Sequence, residues 1–253
     1  MSLLNPTILR VDSIDSTNLE AMRQARAGAA EGLCVVAREQ TMGRGRLDRS
    51  WQSPKDAGLY FSIVLRPTLE TRVWPLITLM TALAVRDALL RSSGVRADIK
   101  WPNDVCVNER KLCGILAETV DTKIGPAAIV GIGINLKADS LPATVNDLAT
   151  SVEAVTGVKP DSAGVLMELL KAIGERYDLL QSPLGSEHTI REWCANSSYA
   201  IGRQVRVALD NDTFEGTTRG LEADGALRVE TAGGKMRIVR AGDVTALRAT
   251  TNV

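Results

Sequence analysis

The spacing of apolar residues changes near Tyr199, and this change divides the chain into two architectures. Before it, apolar runs such as residues 59–65 are long enough for buried strands and helices. After it, short runs such as VRVAL, LRVET and MRIVR alternate apolar with polar residues and are separated by Asp, Asn and Gly. This pattern is typical of a small barrel of antiparallel strands. We predict a mixed α/β domain at residues 1–197 and a small β module at residues 198–253.

Periodicity within the first part predicts helices that flank a mixed central sheet. One helix begins at Thr17, which fits a capping box with Glu20, and ends near Gly28. Two longer helices are expected at residues 75–94 and 161–180. Buried strands are expected at residues 33–37, 59–65, 105–107, 112–118 and 127–135 and around Ile99. The predicted fold class is therefore α/β.

Composition argues against several classes of function. The chain has 30 Lys and Arg residues and 30 Asp and Glu residues, so its zero net charge gives no overall attraction to nucleic acid or anionic membranes. The longest uncharged stretches, residues 73–85 and 124–136, are shorter than the roughly 20 residues of a membrane-spanning helix. The first residues lack the pattern of a signal peptide. We therefore expect a soluble, cytoplasmic protein.

Scarce residue types narrow the chemistry further. His188 is the only histidine, which argues against Ser-His-Asp catalysis and multi-histidine metal sites. The four cysteines form no C-x-x-C pair and lie among apolar neighbours, as expected for buried thiols in a reducing compartment. Neither a P-loop nor a G-x-G-x-x-G motif occurs, so any phosphate-binding site would have to be formed by other residues.

The segment at residues 39–51 carries the densest group of candidate binding residues. Glycines and arginines alternate in it: Gly43, Arg44, Gly45, Arg46 and then Arg49. The glycines let the backbone approach a ligand, and each guanidinium offers a fork for a carboxylate or phosphate. Trp51 adds a flat ring that could stack on a base or close a loop. An exposed flexible loop with solvated arginines would show the same pattern.

Two further segments place single charged groups beside apolar strands. In KWPND (residues 100–104) the proline interrupts regular structure, so Asn103 and Asp104 are expected in a turn. Asp104 could hold Mg²⁺ or orient an amine, or it could belong to an ordinary hairpin turn. Lys111 precedes the apolar run LCGIL, where a partly desolvated ammonium needs an anionic partner unless it reaches solvent.

Polar groups at two other places could contact a small ligand. The buried strand VGIGIN (residues 130–135) contains two glycines, which mark close approach of a ligand or of another backbone. Asn135 at its end can both donate to and accept from an adenine edge. Packing against a helix explains the same strand equally well. The remaining candidates could cap the first helix or bind a polar ligand: Ser16, Thr17, Asn18 and Gln40.

In this order, the segments resemble the biotin protein ligases. The resemblance covers nearly the whole chain and rests on residues 16–18, Gln40, GRGR at 43–46, Trp51, KWPND at 100–104, KLCG at 111–114 and GIGIN at 131–135. Each motif is weak alone, but their combination is specific. The resemblance implies a catalytic domain similar to class II aminoacyl-tRNA synthetases, followed by an SH3-like β-barrel.

The resemblance also implies a reaction. Such enzymes join the carboxylate of biotin to the α-phosphate of ATP, which yields biotinyl-5′-AMP and pyrophosphate. They then transfer biotin to one lysine of a biotin carboxyl carrier domain, typically that of acetyl-CoA carboxylase. ATP and Mg²⁺ are the expected co-substrate and metal, and biotin is the substrate. Joining two anions requires screening of their repulsion, which suits the arginines and Lys111.

Residue roles follow from the resemblance. The implied catalytic residues are Lys111, Arg46 and Asp104, and Asp104 is also the implied Mg²⁺ ligand. Biotin binding is implied for Ser16, Thr17, Asn18, Gln40, Gly43, Arg44, Gly45, Arg46, Lys111 and Gly114. Nucleotide binding is implied for Arg44, Arg46, Trp51, Asn103, Lys111 and Asn135.

The sequence departs from the family pattern in places, and two other functions compete. About 15 residues precede Ser16, so we expect neither the DNA-binding domain of some family members nor a DNA partner. Leu47 and Asp48 make the arginine loop less basic, and Cys113 stands where alanine is common. A lipoate ligase would share the fold, whereas a non-catalytic anion-binding adaptor would leave Lys111 and Asp104 unexplained. Whether the chain forms a homodimer through a sheet edge stays open.

Overall fold

The first part of the chain folds around one seven-stranded sheet. The computed structural model describes residues 4–138, 141 and 147–247. The strands of this sheet are β1 (Thr7–Ile14), β2 (Leu33–Gln40), β3 (Gly58–Leu65), β4 (Asp98–Lys100), β5 (Asp104–Val107), β6 (Arg110–Thr122) and β7 (Gly125–Asn135). Their order is β1-β2-β3-β7-β6-β5-β4, with β1 parallel to β2 and the other neighbours antiparallel. The predicted mixed sheet is confirmed.

Helices cover both faces of this sheet. They are α1 (Thr17–Arg26), α2 (Pro75–Ser93), α3 (Val152–Thr156), α4 (Ser162–Leu180) and α5 (Gly185–Ala195), and a 3-10 turn spans Thr71–Val73. Because α2 is apolar on most of its surface, it lies in the core against α4, α5 and the sheet. On the other face, Ala21 and Ala25 of α1 pack against strand side chains, including Val120 and Ile129. The start of α1 therefore lies over β6 and β7, beside the every-second residues whose side chains point to this face of the sheet.

The end of the chain forms the predicted antiparallel β module. Its strands are β8 (Ile201–Ala208), β9 (Thr213–Leu221), β10 (Leu227–Glu230), β11 (Met236–Val239) and β12 (Asp243–Ala246). Their order is β11-β10-β9-β8-β12. Val205, Val229 and Val244 belong to the same apolar cluster as the core of the first part. Trp101 Nε1 also donates to Gly225 O at 3.0 Å, so the module is packed firmly against the larger sheet.

The sequence missed some elements and misplaced one helix cap. It predicted neither β1, an edge strand with no fully buried residue, nor α5, which begins after a left-handed Leu184 instead of a capping side chain. The capping box was wrong: Ser16 is the N-cap residue of α1, and its side chain accepts no capping bond. Thr17 instead directs its hydroxyl toward Gln40. No helix in the described part of the chain is long and apolar enough to cross a membrane.

Candidate active site

A cavity opens at the start of α1, over the face of β6 and β7. Most residues singled out in the sequence line it: Ser16, Thr17, Asn18, Gln40, Arg44, Gly45, Arg46, Trp51, Asn103, Asp104, Lys111 and Gly114. The lining is completed by Arg49, Ser50, Ile115, Leu116, Gly131, Ile132, Gly133 and Asp243. Five separate segments of the larger domain and the first residue of β12 therefore meet at one place.

Two of the sequence candidates lie outside this lining. Asn135 is buried, and its amide donates to Thr150 O at 3.0 Å and to Lys111 O at 3.5 Å. Gly43 is buried as well, and a Cβ atom there would collide with the carbonyl oxygen of Trp51. Asn135 thus fixes the segment that carries Lys111, and Gly43 lets the backbone pack closely against the segment that carries Trp51. Lys111 and Trp51 both line the cavity.

The arginine-rich segment forms a small hairpin at residues 44–50. Gly45 N–H donates to Arg49 O at 2.7 Å across its base. At its tip, Leu47 and Asp48 have φ angles of 53° and 56°, in the left-handed region. Non-glycine residues pay roughly 1–2 kcal/mol each in that conformation. Contacts at the base of the hairpin must therefore hold the tip in place.

Three cavity cations are already paired with carboxylates. Lys111 Nζ lies 2.6 Å from Asp104 Oδ1. Arg44 forms a fork with Glu118, with an Nη2–Oε1 distance of 3.0 Å and an Nη1–Oε2 distance of 3.1 Å. Arg49 forms a similar fork with Asp243 of the β module. These pairs orient the cations before any ligand binds.

Arg46 has a different environment. Its guanidinium donates to two neutral oxygens, Asn103 Oδ1 at 3.1 Å and Gly242 O at 3.3 Å. Partial burial lowers the pKa of Arg46 from its ordinary value, although Asp243 and Asp104 offset part of this effect. A half-buried cation bonded to neutral groups gains strongly from an incoming anion, because the anion offsets its desolvation.

We expect Asp243→Asn to reduce stability more at neutral pH than in acid. Arg49 holds the pKa of Asp243 below its ordinary value. The ionised carboxylate therefore stabilises the fold above its ordinary unfolded pKa, and this contribution is lost as the pH falls through the lower folded pKa. Since the pair is partly exposed, the difference at about pH 7 should not exceed ~1 kcal/mol. Urea unfolding of both proteins at about pH 7 and about pH 3 measures the difference in their unfolding free energies. A difference that is as large at about pH 3 as at about pH 7 would contradict the prediction.

Two facing glycines make room for an aromatic ring on the cavity floor. Gly114 of β6 pairs with Gly133 of β7, and the Trp51 ring lies over both. Lys111 Nζ lies 5.2 Å from the centre of that ring. Trp51 Nε1 is buried and finds no acceptor among the described residues. Buried donors usually have a partner, so this unpaired N–H sets Trp51 apart from ordinary core residues.

We expect Gly133→Ala to displace the Trp51 ring. A Cβ atom at this position would lie 2.5 Å from Trp51 Nε1, far inside van der Waals contact. Tryptophan fluorescence measures the displacement. The emission of Trp51 is obtained by subtracting the spectrum of the same protein with Trp51→Phe. Gly233→Ala is the matched control because nothing lies within 4 Å of its added Cβ. If the Trp51 emission of Gly133→Ala were the same as that of Gly233→Ala, the contact between Gly133 and the Trp51 ring would be refuted.

Hydroxyl and amide groups form the polar wall beside α1. Gln40 Oε1 accepts from the backbone N–H of Thr17 at 2.8 Å and lies 3.0 Å from its Oγ1. Ser62 Oγ lies 2.7 Å from both Thr17 Oγ1 and Asn18 Oδ1. Amide oxygens only accept, so two hydroxyl protons serve three oxygen–oxygen contacts. Since Thr17 donates to Gln40 and Ser62 donates to Asn18, Thr17 Oγ1, which lines the cavity, remains open as an acceptor.

Some site residues could not be recognised in the sequence. Asp243 is 194 positions from its partner Arg49 and belongs to a different sheet. Ser62 lies within an apolar strand and Glu118 within a long one, with no motif around either. The only available signal was Ser62 as a lone hydroxyl in an otherwise buried strand, since such a group needs a partner.

No group of three or more metal-binding side chains occurs among the described residues. Mg²⁺ usually takes only one or two protein carboxylates, with substrate phosphates and water as its other ligands. Asp104 lines the cavity beside Lys111, and its carboxylate is suited to be such a single protein ligand.

The fold and its site define a protein ligase of the biotin and lipoate class. Residues 10–135 match the model of the biotin/lipoate A/B protein ligase family. Residues 200–245 match that of the biotin protein ligase C terminal domain. The two matches correspond to the larger sheet and to the β module.

Individual relatives narrow the class. The chain is 37% identical to the bifunctional ligase/repressor BirA of Bacillus spizizenii over 236 residues, which is 91% of this chain and 71% of the relative. It is 33% identical to the biotin–[acetyl-CoA-carboxylase] ligase of Paracoccus denitrificans, covering 91% of this chain and 96% of that one. The biotin protein ligase of Aquifex aeolicus in complex with biotin and ATP superposes with a TM-score of 0.81 at 30% identity, covering 96% and 99% of the two chains. The chain belongs to the biotin protein ligase family, the enzymes that attach biotin to proteins with ATP.

Proposed function

We propose that this cavity first makes biotinyl-5′-AMP and then transfers biotin to a lysine of a biotin carboxyl carrier domain. The observation that carries the proposal is the convergence of four cations, Arg44, Arg46, Arg49 and Lys111, on one cavity. The first step brings a carboxylate against a phosphate. Preoriented cations lower the barrier because they screen this repulsion and stabilise the charge that builds during attack.

The polar wall beside α1 is the proposed site for the ureido ring of biotin. That ring carries N–H donors next to a carbonyl acceptor, and Thr17, which lines the cavity with Gln40, has an acceptor to spare at its Oγ1. Ser16 and Asn18 line the same side. A buried polar site that is matched to a ligand donor rejects analogues without it, because the acceptor would stay unpaired. This favours biotin over lipoate.

The opposite side of the cavity is the proposed nucleotide site. Arg46 and Arg49 belong to the hairpin, and Asn103 orients Arg46. Trp51 offers a flat ring for a base or for biotin. The amide of Asn135 bonds to Lys111 O, so we assign it to holding the Lys111 segment.

The chemistry can be written with its bonds balanced. A carboxylate oxygen of biotin attacks the α-phosphorus of ATP, and the bond to pyrophosphate breaks. The amine of the carrier lysine then attacks the acyl carbon, the bond to AMP breaks, and the amine loses a proton. Lys111 donates to the anionic oxygens in the first step, and Asp104 beside it can orient the amine in the second. Mg²⁺ bound near Asp104 would neutralise phosphate charge.

One incubation tests this function. The protein is mixed with ATP, Mg²⁺, biotin and a biotin carboxyl carrier domain, and the carrier is analysed by mass spectrometry. We expect one biotinyl group on one carrier lysine, and none when ATP or biotin is omitted. A parallel reaction with lipoate should leave the carrier unmodified. Modification by lipoate but not biotin, or no modification with either, would overturn the proposal.

A further inference from the structure

Glu118 lies between Asn18 and Arg44, two residues that line the cavity, and none of the roles above uses it. Its carboxylate accepts from Asn18 Nδ2 at 2.9 Å on one side and from the Arg44 fork on the other. Its side chain is only 22% exposed. We propose that Glu118 is a positioning residue that sets the hydrogen-bond direction of the biotin wall and ties the arginine hairpin to it. This inference rests on the proposed binding of biotin at the cavity.

The first part of the argument concerns the amide of Asn18. A carboxylate only accepts hydrogen bonds, so Glu118 turns the Nδ2 of Asn18 toward itself and the Oδ1 toward Ser62. The amide also donates to Leu116 O at 3.2 Å. A Cβ atom at Gly131 would collide with Asn18 Oδ1, which shows that the amide lies directly against β7. Its orientation is therefore closely determined.

The second part follows the protons from Asn18 to the open acceptor. Because Asn18 presents its oxygen, Ser62 must donate its only proton to Asn18. The proton of Thr17 serves Gln40, so Thr17 Oγ1 receives no proton from Ser62 and stays open as an acceptor. Without Glu118, Asn18 could turn its Nδ2 toward Ser62. The proton of Ser62 would then fill the acceptor that we assign to biotin.

The third part concerns Arg44. This residue pairs with Ser50 at the base of the hairpin, whose tip is strained at Leu47 and Asp48. The two-point contact with Glu118 fixes both the position and the plane of the Arg44 guanidinium. Glu118 thereby links the hairpin to β6, the strand that also carries Lys111 and Gly114.

The test separates biotin recognition from chemistry. Biotin-dependent pyrophosphate exchange is measured for Glu118→Gln and Glu118→Ala, with Asp121→Asn, an exposed carboxylate of the same strand, as control. We expect Glu118→Ala to raise the KM for biotin by about 10- to 100-fold, as for loss of a charged hydrogen bond, with kcat changed far less. Glu118→Gln keeps an amide acceptor for Asn18 and should fall between Glu118→Ala and the unchanged protein. Asp121→Asn should match the unchanged protein.

A second variant keeps the inference falsifiable. In an Asn18→Ala background, Glu118→Ala should have a smaller effect on the KM for biotin, because the share that acts through Asn18 is already lost and only the share through Arg44 remains. Fully additive effects, an unchanged KM, or a fall in kcat alone would each overturn the inference. Failure of the proposed function would look different, since the unchanged protein itself would then show no biotin-dependent exchange.

Discussion

Replacing Lys111 by alanine should abolish biotin-dependent pyrophosphate exchange, a loss of about 1,000-fold. Lys111 is the only lysine that lines the cavity in the described part of the chain, and its Nζ is held between Asp104 and the Trp51 ring. Removing one preoriented donor to a developing oxyanion costs about 100- to 1,000-fold in rate. The lost charge also weakens screening between the two anions. Exchange of label between pyrophosphate and ATP, with and without biotin, measures the effect.

The structure supplies a matched control for this variant. Lys123 lies exposed in the turn between β6 and β7, on the same pair of strands, and its replacement by alanine should leave the exchange rate unchanged. Lys111→Arg keeps the charge but presents a planar fork in place of a compact ammonium, so partial activity is expected. Full exchange activity in Lys111→Ala would remove this residue from the mechanism.

Replacing Arg46 by glycine should release biotinyl-5′-AMP about 10- to 100-fold faster. That intermediate hydrolyses in water and must stay covered until the carrier lysine arrives. Among the described residues, Arg46 hydrogen-bonds to two neutral oxygens and forms no direct pair with a carboxylate, so a contact with the intermediate's phosphate would be its strongest hydrogen bond. Loss of a hydrogen bond to a charged group costs about 1.5–3 kcal/mol, which corresponds to that range of rates. The off-rate of preformed intermediate measures it, and an unchanged off-rate would refute the covering role.

Faster release should also broaden the labelling. Free biotinyl-5′-AMP reacts with any exposed amine, so Arg46→Gly is expected to label lysines of bystander proteins. Arg72→Gly, at a strongly exposed position outside the cavity, should label only the carrier. Gly45→Ser should act in the same direction as Arg46→Gly but less strongly. A Cβ at Gly45 would lie 3.3 Å from Arg49 O, which forces the hairpin base to adjust without removing a charge.

Patterns of neighbouring residues predicted much of this protein. The apolar periodicity placed α2 and α4, and the short alternating runs after Tyr199 predicted the antiparallel β module. The clustered motifs also identified most of the residues that line the cavity. These predictions succeeded because helix and strand periodicity, like glycine and arginine spacing, is expressed over a few consecutive residues.

The sequence by itself determined which chemical groups the protein has and which elements carry them: an arginine loop, a lysine strand and a glycine-containing strand. Only the tertiary structure decided how these groups are paired, with Arg49 facing Asp243, Arg44 facing Glu118, and Arg46 facing neutral oxygens. The physical reason is that an ion pair depends on a few ångströms between side chains from different strands. Those distances result from packing across the whole core, and no local pattern of residues encodes them.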